Sequence, residues 1–498
     1  MEYAIAVIDI GMTNKKVAVY DDALTLVDAQ YRNFPPLLMD GLETHDLRAM
    51  EDWFTEQVAR YARSYPIKGI ALSAHGATFV GVGKDGKPSM PCVYYTHEPG
   101  DAFHARFYAR FGSPEALQEE TGTPAFKALL NTGKGICFAQ EQYPEGFKQT
   151  IHLLQYPQYW GYRFSGKTGA EGTYMGCHSY LWDQRQGCLS SVAQGLGVAP
   201  LMPNRLGASW DVLGTLSPAF ARKTGLKEEV LITLGIHDSN ASLLPHFAKQ
   251  GKQGFVLNST GTWCVLMNPV PVYGFTPEEL GKVVFFNISA FGTPVKTAIF
   301  QGGQEFETWS RLLMEMHGQR ELPRFDLSLY RSLLAKKRAF LMPELTPGSG
   351  QFPQSQARIV EDGREYSFAT IAHGKEIPPV FKQYEQGIAL LDISLVMQTL
   401  TALERTGLVP GTAIFTEGGF RNNQGYHTLL SAALPNNRVF LTSIAEATAL
   451  GAAITGKMAL TGKKLSDLSE DFEIVYQEVL KTRIPELYAY QEAWLGYA

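Results

Sequence analysis

The sequence predicts an α/β protein built of two related halves. Three observations lead there. The chain has 498 residues, more than one hydrophobic core ordinarily serves. Short β-branched runs alternate with segments of helical spacing along most of its length. A strand–turn–strand pattern with a small, hydroxyl-rich turn occurs near residue 10 and again near residue 260.

Residues 4–10 (AIAVIDI) are an apolar strand, 11–16 a polar turn, and 17–20 the start of a second strand. Helical spacing follows at 50–63, and IKGIALSAHGATFVGVGKDGKP returns to strand with a Lys-Asp-Gly turn. Residues 101–120 read as helix, and 151–164 as a helix-flanked segment. The second strand–turn–strand unit covers Phe255 to Leu266. The polar stretch 243–254 between the halves reads as a hinge, which divides the chain into 1–245 and 246–498. Residues 345–357, rich in Pro, Gly and Gln, read as a surface loop. TEGGFRNNQ at 416–424 is a third turn, between the strand TAIF and a helical pattern. A strand and a small-residue helix close the core in NNRVFLTSIAEATALGAAITG.

Composition narrows the function. A formal net charge of −5 leaves no basic excess for nucleic acid or an anionic membrane. Small molecules are the default partners. The five cysteines have no CxxC spacing, which reads as reduced thiols in a cytoplasmic setting. The N-terminus has no basic region of the secretory type. No run of about 18 apolar residues is present. The apolar stretch GIALLDISLVMQTLTAL carries Asp392 and reads as a buried-face helix.

Four segments carry chemistry. In DIGMTNKK, Thr13, Asn14 and Lys15 have the donors to hold phosphate oxygens, and Asp9 at the strand end can hold Mg²⁺ through water. No Walker A pattern is present, and an ordinary hairpin with a capping carboxylate is the structural alternative. Thr260, Gly261 and Thr262 in NSTGTW form a matching second turn. In GIHDSNA, Asp238 follows an apolar strand at a helix start. It is either an N-cap or a general base for a hydroxyl, ionised at neutral pH with an ordinary pKa of about 3.9. Gly418 and Gly419 allow backbone to lie against a flat ligand, or simply make a turn. One carboxylate, Mg²⁺ and two N–H-rich turns suit phosphoryl transfer, which depends on positioning and charge neutralisation.

Together with SAHGATFVGVGKDGKP, YPQYWGYRFSGKTGAEGTYMG and EGGFRNN, these segments resemble the FGGY family of carbohydrate kinases over roughly residues 4 to 457. The resemblance implies two actin-like, ribonuclease-H-like domains with an interdomain ATP–sugar cleft. It implies Mg²⁺ with ATP as co-substrate, and Asp238 as catalytic base with a water-mediated link to Mg²⁺. Thr13, Asn14, Lys15, Thr260, Gly261 and Thr262 would meet the ATP phosphates. Gly418, Gly419 and Asn422 would lie by adenosine, and His75, Gly76 and His237 by the sugar. The His237-Asp238 pair is similar to that of the L-rhamnulose and L-fuculose kinases. Tyr95 and His97 depart from the family's usual Trp and Asp, leaving His97 and Glu98 as candidate polyol contacts.

A kinase of a 6-deoxy-ketohexose is therefore the expected function. A pentulose, tetrulose or polyol kinase is the alternative within the class. A non-catalytic ATP-driven clamp or a sugar sensor is the alternative outside it, and a homodimer is an allowed assembly.

Overall fold

The computed structural model describes residues 1–203, 205–251, 253–444 and 446–498. The N-terminal sheet contains β1 (Ala4–Ile10), β2 (Asn14–Asp21), β3 (Leu26–Asn33), β4 (Ile67–Ala74), β5 (Val212–Thr215), β6 (Leu231–Thr233) and β7 (Ile236–His237). The C-terminal sheet contains β8 (Phe255–Thr260), β9 (Cys264–Pro269), β10 (Val284–Ile288), β11 (Pro294–Phe300), β12 (Ala413–Gly418), β13 (Arg438–Ser443) and β14 (Val475–Glu478).

The two sheets repeat one pattern. In the first, the antiparallel meander β3-β2-β1 continues into parallel β4 and β6. In the second, the meander β11-β9-β8 continues into parallel β12 and β13. The likeness of the two hairpins is thus a likeness of whole sheets.

Seven helices matter for the site: α1 (Leu47–Ala62), α2 (Tyr156–Ser165), α3 (Asp238–Gln250), α4 (Gly302–His317), α5 (Tyr384–Arg405), α6 (Gln424–Ala433) and α7 (Ala447–Thr461). Helices α1 and α2 cover the outer face of the first sheet, where Val17, Val19 and Leu72 meet Met50, Phe54 and Trp160. Helix α5 fills the second core: it is long and apolar enough to cross a membrane, but its apolar window is 94% buried inside the fold. Its Asp392 accepts hydrogen bonds from Tyr330 Oη (2.5 Å) and Asn423 Nδ2 (2.6 Å), so burial raises that carboxyl only to about 6.

Helices α3 and α7 form the layer between the sheets. Ala449, Ala452, Ala453 and Ile454 of α7 pack on Ile5, Val7, Ala18 and Ala71 of the first sheet. Helix α3 turns Ala241, Leu244 and Ala248 toward α7, and Leu243 and Phe247 toward Phe255, Leu257 and Phe415 of the second sheet. Each helix therefore serves the other half of the sequence. The small residues of α7 allow this close crossing: a Cβ on Gly451 would overlap the Ala241 backbone carbonyl.

Several expectations change here. The stretch 243–254 is not a hinge throughout, because its first eight residues complete α3, with Lys249 and Gln250 in the last turn. The division at 245/246 falls inside that helix. The helix expected over 101–120 is two, Asp101–Phe111 and Pro114–Thr121, because Gly112 ends one and Ser113 caps the other. The loop 345–357 is only partly at the surface, since Gln351 Nε2 donates to Val283 O and Ile299 O.

Gly451→Ala is expected to force α3 and α7 apart, at a cost of about 1–3 kcal/mol. A lowered thermal unfolding midpoint checks this, and an unchanged one rejects the close crossing.

Candidate active site

Strand β7 pairs in parallel with the end of β4, placing Ile236 beside Ser73 and His237 beside Ala74. Asp238 then opens α3, next to the helix's unpaired N–H groups. Its Oδ1 accepts from Ser239 N (2.6 Å) and Ser239 Oγ (3.2 Å). Burial pushes the carboxyl up to about 7, and the Asp9 charge adds to the rise. The sequence leads one to expect an ordinary aspartate; the protein supplies a half-buried one, with 28% of its side chain exposed.

Asp238 faces a cavity of about 200 Å³. Its lining mixes polar side chains, His75, Tyr95, His178, His237 and Asn287, with apolar ones, Leu130, Trp263, Val265, Phe285 and Ile299. Burial holds His75 and His237 at about 3, so both imidazoles are neutral at physiological pH. Tyr95 is pushed up to about 12 by burial and by Asp238. Gly76 lines the cavity because a Cβ there would come within 2.9 Å of His237 Nε2. Left-handed backbone clusters at the same place, at Ala77 (φ 61°), His178 (φ 49°) and Tyr180 (φ 55°).

His178, Trp263 and Asn287 are cavity residues that sequence reasoning missed. The available signal was Cys177-His178 after the quoted TYMG segment, and the Trp closing NSTGTW. His97 and Glu98 require correction: neither lines the cavity. The His97 ring packs on Phe138 at 5.1 Å. Glu98 is a loop clip, accepting from Gly100 N (2.9 Å), His104 Nε2 (2.8 Å) and Ala128 N (2.7 Å).

At the first hairpin, Thr13 and Asn14 are exposed and free to meet a ligand. Lys15 is not: it is 1% exposed, donates to Met12 O at 2.7 Å, and is lowered by burial to about 8. Strand alternation puts it on the same face as Val17 and Val19. Lys16 takes the opposite face, paired with Asp9 (3.1 Å) and with Glu446. Asp9 Oδ2 also accepts from Thr448 Oγ1 at 2.6 Å, which joins the two halves.

At the second hairpin Gly261 and Thr262 are exposed, but Thr260 is buried and occupied. Its Oγ1 donates to Glu417 O (2.5 Å) and accepts from Phe420 N (3.0 Å), which locks β8 to the turn after β12. Gly418 lies against the Thr260 carbonyl with φ 83°, and Gly419 follows in the same turn. Asn422 is exposed, whereas its neighbour Asn423 caps α6.

Glu98→Ala is expected to cost about 1–2 kcal/mol of stability, because three donors lose a charged acceptor. Calorimetry against ligand titration separates this from a contact role: a loss of affinity with no loss of stability would contradict the clip.

Comparison with known proteins agrees with this geometry. Residues 4–245 match the model for the N-terminal domain of the FGGY family of carbohydrate kinases. Residues 252–464 match that for the carbohydrate kinase FGGY C-terminal domain. Rhamnulokinase from Yersinia pestis is 24% identical over 236 residues, or 46% of this chain and 45% of the relative, so the match spans about half of that enzyme. A carbohydrate kinase from Novosphingobium aromaticivorans superimposes with TM-score 0.80 and 26% identity, over 99% of this chain and 98% of that one. Xylulose kinase from Lactobacillus acidophilus shares the fold, with TM-score 0.79 and 16% identity over 99% and 97% of the two chains. The two sheets are thus the paired actin-like, ribonuclease-H-like domains of this architecture. The chain belongs to the FGGY family of carbohydrate kinases.

Proposed function

We propose that the protein transfers the γ-phosphoryl group of ATP to a terminal hydroxyl of a small ketose, with Asp238 as general base. The observation that carries this reading is Asp238 facing a cavity whose lining combines polar and apolar side chains. The polar side chains suit hydroxyls and the apolar ones suit a methyl terminus. A 6-deoxy-ketohexose such as L-rhamnulose or L-fuculose, giving the 1-phosphate, fits both. The partial likeness to rhamnulokinase supports the same choice.

Both Ser239 donors engage Asp238 Oδ1, so Oδ2 takes the hydroxyl proton. The substrate oxygen forms its bond to the γ-phosphorus as the bond to the β-γ bridging oxygen breaks, releasing ADP. Neutral His75 and His237 can each donate or accept a hydrogen bond without adding charge beside the base. Thr13, Asn14 and Thr262 offer exposed donors for phosphate oxygens, Gly261 an exposed backbone beside them, and Gly418, Gly419 and Asn422 the surface for adenosine.

Mg²⁺ fits the carboxylates present. Asp9 and Asp238 lie close enough for one charge to raise the other, and a divalent cation held through water relieves that repulsion. When bound it neutralises charge on the transferring phosphoryl group.

A coupled ADP-release assay over ketoses and polyols tests the proposal. A 6-deoxy sugar is expected to exceed an analogue lacking its methyl by about 10- to 200-fold in kcat/KM. Turnover confined to a pentulose, erythrulose or glycerol would reject the deoxy-sugar assignment. ATP binding without turnover of any sugar would reject the kinase reading.

Asp238→Asn is expected to cut kcat by about 10²- to 10⁴-fold while leaving nucleotide binding intact. Near-wild-type turnover in that variant would remove Asp238 from the role. The acid is inactive as a base when protonated, so kcat/KM should rise with pH and level off above about 7. A profile flat from pH 5 to 8 would show that Asp238 is ionised throughout.

A further inference from the structure

Beside His237 of the cavity lies a second constellation, whose sulfur the phosphoryl-transfer reading leaves unused. Cys177, His178 and His237 bring one sulfur and two imidazoles together, with their donor atoms all within 4.8 Å of one another. We propose that these three side chains form a binding site for a zinc-class divalent cation, and that filling it closes the cavity to the sugar.

The spacing is that of metal ligands. Cys177 Sγ lies 3.5 Å from His237 Nε2. Tetrahedral zinc, with Zn–S of about 2.3 Å and Zn–N of about 2.0–2.1 Å, needs about 3.6 Å between those two atoms. Backbone geometry presents the set. The His237 amide donates to Thr173 Oγ1 at 2.9 Å, tying β7 to the segment that carries Cys177. The left-handed turn at His178 (φ 49°) then brings its ring to 6.1 Å from that of His237.

The rings are in the right state to bind. A neutral imidazole keeps a lone pair for a metal. The buried Nδ1 of both His178 and His237 has no hydrogen-bond partner. Burial also raises the Cys177 thiol. Metal binding therefore breaks the S–H bond, sends its proton to solvent and forms the S–Zn bond. Asp238 Oδ1 is 3.4 Å from the same His237 nitrogen, so a cation held there would lie beside the base in the cavity that both residues line.

Magnesium does not compete here. It takes oxygen ligands in octahedral geometry, whereas thiolate and imidazole select zinc, cobalt(II) and their neighbours. The site is thus separate in chemistry from the Mg²⁺ that Asp9 and Asp238 would hold through water.

Cobalt(II) titration of the full-length reduced protein, with Mg²⁺ present, tests the site. One equivalent per chain and a thiolate-to-cobalt charge-transfer band are expected, reversed by Zn²⁺. Cys177→Ser should abolish the band, and His178→Gln should weaken binding at least tenfold. Cys188→Ser, which removes the one exposed thiol, should change neither. A sugar that occupies the cavity should raise the apparent cobalt dissociation constant. Absence of the band, or a band that survives Cys177→Ser or disappears with Cys188→Ser, would overturn the proposal. If Cys177→Ser fails to fold by circular dichroism, His178→Gln decides: unchanged affinity rejects the site. The spectrum is read without turnover, so it stands or falls independently of the kinase reading.

Discussion

The crossing of α3 and α7 at Ala241 and Gly451 is the constraint on which the site depends. It sets two backbones in direct contact, which requires a residue without a side chain at that point. Each helix begins at chemistry. Helix α3 starts with Asp238, and α7 starts beside Thr448, which holds Asp9. Fixing one crossing therefore fixes the base, the neighbouring carboxylate and the end of β1 relative to each other. Because α7 comes from the C-terminal half and rests on the N-terminal sheet, the halves are interleaved at this point.

Dryness is the second condition. Asp238, His75, His178 and His237 all depart from their ordinary ionisation in the direction that removes charge. A cavity lined by neutral imidazoles and a half-neutralised carboxyl is receptive to an uncharged polyol. Net charge is concentrated instead at Asp9, Lys16 and Glu446, beside the first hairpin.

What the sequence revealed was local chemistry. Both hairpins, the helix start at Asp238 and the strand–turn–helix around 416–424 are each specified within a dozen residues, by turn types and periodicity. What it concealed was distant pairing. Thr260 has the composition of a ligand-facing turn, yet its hydroxyl is taken by residues 157 and 160 positions away. Glu98 is engaged by Ala128 across a loop that no periodicity describes. Lys15 was decodable: two residues before Val17 on a buried strand, it had to face inward, but its charge argued for the surface. The polar residues at 249 and 250 conceal a helix end for a similar reason, since they are ordinary last-turn residues of a helix whose other faces are buried.

The left-handed residues at Ala77, His178 and Tyr180 bear on attempts to make this protein more heat-tolerant. Each non-glycine residue in that conformation costs about 1–2 kcal/mol. Glycine would relieve the cost locally, so these positions are attractive to a stability-guided design. His178 lines the cavity, so a change of backbone there also changes the wall. Thermal robustness gained there trades against preorganisation, and heat tolerance is better sought in the exposed loops far from β4 and β7.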